Sequence, residues 1–207
     1  MLVACGGGSD PPSCPDVWRV LAVGDSTMRG TGDMLQRELD ARLGKGRAVV
    51  WNKGQNGATS ADALNGYEGQ KLADLLAELR PDIVVSNYGM GDMRDSLGVE
   101  GYASRLREIR AMVGDGLILQ TPNPATQETP YGSERAEREI AEYTQAVREV
   151  AHETGTPLAD VRAFVLSLPN WQALMADGIH PGPELHQRIV RGVTAPAVVE
   201  KMGGCVK

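Results

Sequence analysis

The stretch Val20-Leu21-Ala22-Val23-Gly24-Asp25-Ser26-Thr27 decides how this chain is read. Four apolar residues follow one another and stop at a Gly-Asp-Ser-Thr turn. A run that is apolar on both faces and bounded by turn residues reads as a buried strand of a parallel sheet. The turn sets a serine hydroxyl at the carboxyl end of that strand. In open α/β sheets, ligand crevices lie outside those ends. Ser26 therefore stands where a nucleophile would be useful. A Gly-Asp-Ser turn by itself also serves simply to cap a helix, so the remaining loops decide between the two readings.

The same strand-then-helix pattern recurs along the chain. Residues 1–16 are rich in Gly, Pro and Ser and read as a flexible tether; residues 17–207 read as a single domain. Strands are expected over 19–23, 48–51, 83–86, 117–119 and 158–161. Helices are expected over 31–43, 70–79, 99–113 and 133–152, and from 184 onward. The last of these should be kinked or split by Pro196. An irregular segment surrounds Trp171. Five strands alternating with helices predict a three-layer α/β/α sandwich around a five-stranded parallel sheet. The loops that follow the strands then converge on one edge.

Composition narrows the function. The chain has 207 residues, 42% hydrophobic and 23% charged, which is ordinary for a globular protein. With one Phe, three Trp and five Tyr, the core must rest on Leu, Val, Ile, Ala and Met. A net charge of −6 without a long basic run argues against nucleic acid as a partner. No stretch approaches the ~20 apolar residues of a membrane span. There is no His-Glu-x-x-His and no Cys/His cluster, so no metal is expected. The loop 52–59 lacks the Gly-Lys-Ser/Thr ending of a phosphate-binding loop, and no cofactor is expected.

A serine hydroxyl needs a base, and the base needs an orienting carboxylate. Of the three histidines, His152 falls on a polar helix face, and His186 falls on the last helix as a packing or surface residue. His180 lies in a loop flanked by Gly and Pro, three residues after Asp177. One loop then presents both a base and a carboxylate. The alternative is that Asp177-Gly178-Ile179-His180-Pro181-Gly182 is only a turn leading into a helix.

Taken in order, Gly24-Asp25-Ser26-Thr27, the glycine-containing loop 52–59, Gly89-Met90-Gly91-Asp92 and Asp177-Gly178-Ile179-His180 resemble the SGNH, or GDSL-type, hydrolases. The resemblance covers about 17–199. It implies a flavodoxin-like SGNH hydrolase fold and a serine esterase working through a Ser-His-Asp triad and an acyl-enzyme. Ser26 would be the nucleophile, His180 the general base and then acid, and Asp177 the residue that holds His180. The N–H groups of Ser26 and Gly57 would bind the oxyanion. Asp25, Asn56, Asn87, Asp92 and Asn123 are the candidates for contacting substrate. The loop from Thr121 to about Gly132 is expected to line the cleft, and Trp171 either covers its far side or packs in the core. Implied substrates are small-molecule or polysaccharide esters: acetylated polysaccharides, short acyl esters or lysophospholipids.

One position departs from the family. The third oxyanion donor is an Asn side chain, and the matching residue here is Gly91. Losing one such donor typically costs about 10²–10³ in turnover. Three explanations stand: two backbone donors plus a water, another amide such as Asn56, Asn87 or Asn123, or reduced activity. The last leads to an alternative function, a protein that keeps the fold, has lost efficient catalysis, and binds carbohydrate or lipid or acts as a scaffold.

The cysteines speak to location. Leu2-Val3-Ala4-Cys5-Gly6, followed by a Gly/Pro/Ser-rich stretch, resembles a bacterial lipobox and tether. That implies a lipidated Cys5, membrane attachment and a bacterial cell-envelope or periplasmic location. The basic and long apolar regions of a signal peptide are absent; the alternative is an incidental cysteine in a cytoplasmic protein. Cys14 precedes the first strand and Cys205 follows the last helix, both at the end of the sheet remote from Ser26. A disulfide between them is expected in an oxidising compartment, contributing at most about 4–5 kcal/mol. The alternative is two unpaired thiols.

Overall fold

β1 (Trp18–Gly24) is buried on both sides because both sides have something to cover them. In this computed structural model, which describes residues 14–126 and 133–205, Leu21 and Val23 face one hydrophobic layer and Val20 and Ala22 the other. The period of two along a strand sends alternate side chains to opposite faces. Four further strands join it: β2 (Ala48–Gly54), β3 (Ile83–Asn87), β4 (Leu117–Gln120) and β5 (Leu158–Ala159). All pairings are parallel, in the order β2-β1-β3-β4-β5. The chain leaves β1 toward one side of the sheet and resumes at β3 on the other. The crevice between the carboxyl ends of β1 and β3 is therefore the topological switch point, where such sheets place their ligands.

Helices cover both faces, as the alternating pattern predicts. On one face lie α1 (Ser26–Leu43), α8 (Pro183–Ile189) and α9 (Ala195–Met202); Met28, Leu35, Leu39, Val198 and Met202 close this layer. On the other lie α2 (Ser60–Asn65), α3 (Leu72–Leu79), α4 (Met90–Arg94), α5 (Val99–Val113) and α6 (Ser133–Thr154), with Leu106, Ile109, Ile140 and Val147 at its centre. A smaller cluster of Val161, Val165, Trp171, Leu185 and Ile189 joins α7 (Val161–Ser167) to α8.

The differences from the sequence reading have local causes. α1 begins at Ser26 rather than at 31, because Asp25 caps it and Gly30 and Gly32 are packing sites rather than breaks. A Cβ on Gly32 would lie 2.2 Å from Asn52 Cγ, so the glycine admits β2 against the helix. α2 is an extra helix with a capping box, Thr59 Oγ1 accepting from Asp62 N and the Asp62 carboxylate accepting from Thr59 N. β5 is shorter than expected because Asp160 caps α7, its Oδ1 accepting from Ala163 N at 3.0 Å. The last helix is split as expected: a π-helical segment, Val190–Thr194, precedes α9, whose first turn holds Pro196, where no N–H is needed.

Cys14 and Cys205 are joined by a disulfide across 191 residues of chain. Cys5 lies outside the described residues.

Candidate active site

The turn after β1 is forced by crowding. A Cβ on Gly24 would come 2.1 Å from Asn87 O, so only glycine lets β1 end this close to β3. Asp25 then closes the turn. Its N–H donates to Asn87 O (3.1 Å), its Oδ1 accepts from Thr27 N (2.9 Å) and its Oδ2 from Met90 N (3.3 Å). Burial pushes this carboxyl up to about 6, against the pull of those two N–H groups. Ser26 becomes the first residue of α1. Its N–H is one of the orphan donors of a helix start and has no partner among the described residues.

The C-terminal loop brings the base. Asp177 Oδ1 accepts from the N–H groups of Ile179 (3.1 Å) and His180 (2.8 Å), a local turn that Asp favours. Its Oδ2 lies 2.7 Å from His180 Nδ1, and His180 Nε2 lies 2.8 Å from Ser26 Oγ. Partial burial raises the Asp177 carboxyl, but the bonds from His180 and Ile179 outweigh it and hold it below the ordinary aspartate value. The loop is tied down by Asn123, whose Nδ2 donates to Ile179 O (2.8 Å) while its Oδ1 accepts from Thr27 Oγ1 (3.2 Å).

These groups open onto a cleft of about 370 Å³, whose other walls include Asn56, Gly57, Met90, Gly91, Arg94 and His186. Gly57 has φ +73°, in the left-handed region that glycine adopts freely. Its N–H has no partner among the described residues. Gly91 faces the same loop, and a Cβ there would lie 2.3 Å from Ala58 O. The absent side chain at position 91 is therefore a packing requirement of this chain. An asparagine would need the 56–58 loop to retreat.

The other predicted positions divide. Asp25 and Asn56 line the cleft. Asn87, Asp92 and Asn123 do not: each is buried and engaged inside the protein. Asn87 Nδ2 donates to the carbonyls of Gln120 and Thr121, and Asn123 Nδ2 to those of Pro124 and Ile179. Neither can supply the missing oxyanion amide. Asp92 accepts from Ser60 N and Oγ and from Arg105, and its burial raises its pKa. Residues 121–124 lie outside the cleft lining, and 127–132 outside the described residues. Trp171 packs in the core and borders a second cavity of about 880 Å³, behind Asp177.

Two cleft residues escaped the sequence reading. Arg94 stands one helical turn after Gly91, and its Nη2 donates to Gly57 O (3.0 Å). His186, on α8, packs against α1 one turn beyond Ser26: a Cβ on Gly30, four residues after Ser26, would meet its Nε2 at 2.5 Å. Its Nδ1 lies 3.4 Å from Thr31 Oγ1. Burial, with His180 nearby, lowers its pKa to about 4. Thr31 gives its hydroxyl proton to Thr27 O (2.8 Å), so toward His186 it acts as the acceptor. Only the i, i+4 relation between 26 and 30 hinted at this in the sequence.

Comparison with known proteins places the chain in a family. The model of the GDSL-like lipase/acylhydrolase family matches residues 22–188. No curated protein matches. Among solved structures, a lipase/acylhydrolase from Enterococcus faecalis is 22% identical, with 92% of this chain and 97% of that one covered and a TM-score of 0.73. An acetylxylan esterase from Geobacillus stearothermophilus is 23% identical over 92% and 96%, with a TM-score of 0.67. An α/β hydrolase from the metagenome of Lake Arreo, Spain, is 23% identical over 92% and 97%, with a TM-score of 0.68. At these identities the likeness establishes the fold, and the family match goes further: this chain belongs to the GDSL-like lipase/acylhydrolase family and is an ester hydrolase.

Proposed function

We propose that the chain hydrolyses esters through Ser26, His180 and Asp177. The observation that carries this is the unbroken chain of contacts from Ser26 Oγ to His180 Nε2 (2.8 Å) and from His180 Nδ1 to Asp177 Oδ2 (2.7 Å). As Oγ attacks the ester carbonyl, Nε2 takes its proton. The N–H groups of Ser26 and Gly57 receive the charge that develops on the carbonyl oxygen. Nε2 then returns the proton to the departing alcohol, leaving an acyl group on Oγ. Water repeats the sequence and releases the acid. Asp177, held ionised at neutral pH, steadies the imidazolium formed in each half.

The substrate is a small or carbohydrate ester with a short acyl group, because a cleft of about 370 Å³ leaves little room beside Ser26 for a long chain. Structures of the Geobacillus acetylxylan esterase include catalytic mutants at a serine, an aspartate and a histidine, the last two three residues apart, like 177 and 180 here. The Cys14–Cys205 bond supports work in an oxidising compartment such as the bacterial envelope.

A fluorophosphonate probe tests the reading. It should label Ser26 in folded protein, and Ser26→Ala should abolish both labelling and p-nitrophenyl acetate turnover above background. A folded wild-type protein that is not labelled would favour the binding or scaffold function instead.

A further inference from the structure

Position 91, which matches the family's third oxyanion donor, carries no amide, and the space for a side chain there is closed by Ala58 O. The same helix offers something else. Positions 91 and 94 of α4 are three apart and share a face. Gly91 is pressed on the 57–58 backbone from one turn, and Arg94 reaches that backbone from the next. We propose that Arg94 does the work left vacant at position 91, as a positioning residue acting through Gly57. This rests on the serine-esterase reading above.

Three features of the guanidinium support this. Its place is fixed: Nε lies 2.6 Å from Asp95 Oδ1 and Nη2 2.8 Å from Asp95 Oδ2, a two-pronged grip that allows little swing. From that grip Nη2 also donates to Gly57 O at 3.0 Å. Finally, Nη1 fills the space beside Gly57 where a side chain would begin, 2.6 Å from an ideal Cβ. The guanidinium therefore holds the Gly57–Ala58 peptide by its carbonyl and packs beside the Gly57 Cα, and the missing side chain at 57 is what lets it in. The loop is also held at its start by Gln55, whose N donates to Gly24 O (2.9 Å) and Nε2 to Tyr67 O (2.9 Å), and beyond it by Ala58 N to Gln55 O (3.2 Å) and a long bond from Tyr67 Oη to Asn56 O (3.4 Å); the arginine's is the bond on Gly57 itself.

An oxyanion donor works by being aimed before charge develops. Gly57, with φ +73° and no side chain of its own, has little intrinsic preference to hold its N–H toward Ser26. A charge-assisted bond to its carbonyl fixes the peptide plane that follows it, which removes one of the two rotations by which the Gly57 N–H could turn away. In this chain the third contribution to the hole comes from a side chain that steadies one of the other two donors.

The test compares full-length wild type with Arg94→Ala and Arg94→Lys. Arg94→Ala should lower kcat for p-nitrophenyl acetate by about 10–100-fold, below the full loss of a direct donor, with KM changed less than about threefold. Millimolar guanidinium chloride should restore part of that loss in Arg94→Ala and nothing in Ser26→Ala. Arg94→Lys, which cannot grip Asp95 and Gly57 together, should remain impaired. A kcat within twofold of wild type, a loss confined to KM, or no response to guanidinium would each overturn the inference. If Arg94→Ala fails to fold by circular dichroism, Asp95→Asn replaces it. That variant keeps the arginine and loosens its grip, so it should lower kcat, and an unchanged kcat overturns the inference. Fluorophosphonate labelling separates the nucleophile from the role of Arg94. An unlabelled wild type removes the esterase reading itself, whereas equal labelling rates in wild type and Arg94→Ala remove only the role of Arg94.

Discussion

Asp25 and His186 both line the cleft and respond to acid in opposite directions. The folded chain keeps a proton on Asp25 up to about pH 6, whereas an unfolded aspartate loses it near 3.8. Asp25 therefore favours folding at low pH, and that advantage is lost as pH rises between about 4 and 6. His186 runs the other way. Unfolded, it binds a proton as pH falls through 6.5, and folded, only near 4. Its contribution is present above 6.5 and lost as pH falls. Each full swing is worth about 3 kcal/mol, so over the shared window the two nearly cancel. Asp25→Asn should therefore gain stability relative to wild type as pH rises from 4.5 to 6.5, and His186→Gln should gain as pH falls. Urea melts of all three proteins at both pH values give the answer, since carboxylates common to the three drop out of the differences. Curves that stay parallel to wild type would count against both assignments.

At the scale of elements, the base-bearing loop is only as rigid as its ties. Asn123, fully buried, joins the loop after β4 to Ile179 O on one side and to Thr27 on the other. Asn123→Ala leaves those partners without a mate in the interior, so stability should drop by about 1–3 kcal/mol. The labelling rate of Ser26 should fall with it, because His180 follows Ile179 in the chain. Labelling at the wild-type rate in a destabilised protein would refute the coupling. The sequence could propose Asn123 for the site but not this task, because its partners lie 56 and 96 residues away. The same limit explains Asn87 and Asp92. The elements that were legible carried their signal locally: the double-sided apolar run of β1, and the Asp-x-x-His loop whose carboxylate bonds residues two and three ahead. The start of α1 was not, because glycine disfavours a helix interior and what calls for Gly30 and Gly32 is the long-range packing of His186 and Asn52 on them.

For the molecule as a whole, the sheet order places Ser26 and α4 on adjoining strands of the switch point, and the chain then returns from β5 to bring His180 over it. The architecture was readable from the alternation of strands and helices, whereas strand order is a long-range property that no single segment carries. The disulfide acts at this largest scale. Breaking it should release a closure of 191 residues, worth up to about 5 kcal/mol. Reduction, or Cys14→Ser, should lower the melting temperature by roughly 5–15 °C while p-nitrophenyl acetate turnover at 25 °C stays within twofold. Loss of activity at a temperature where the reduced protein remains folded would contradict the separation of this bond from the cleft.

That separation has a further consequence. β1 is seven residues long, about 20 Å, and the cystine pair sits beyond its amino end while Ser26 sits at its carboxyl end. The Cα atoms of residues 14 and 205 are 5.5 Å apart, so both ends of the domain leave from one pole. A lipid anchor, a fusion partner or a solid support attached at either end would moor the enzyme by its base, with the mouth of the cleft turned outward toward whatever it cuts.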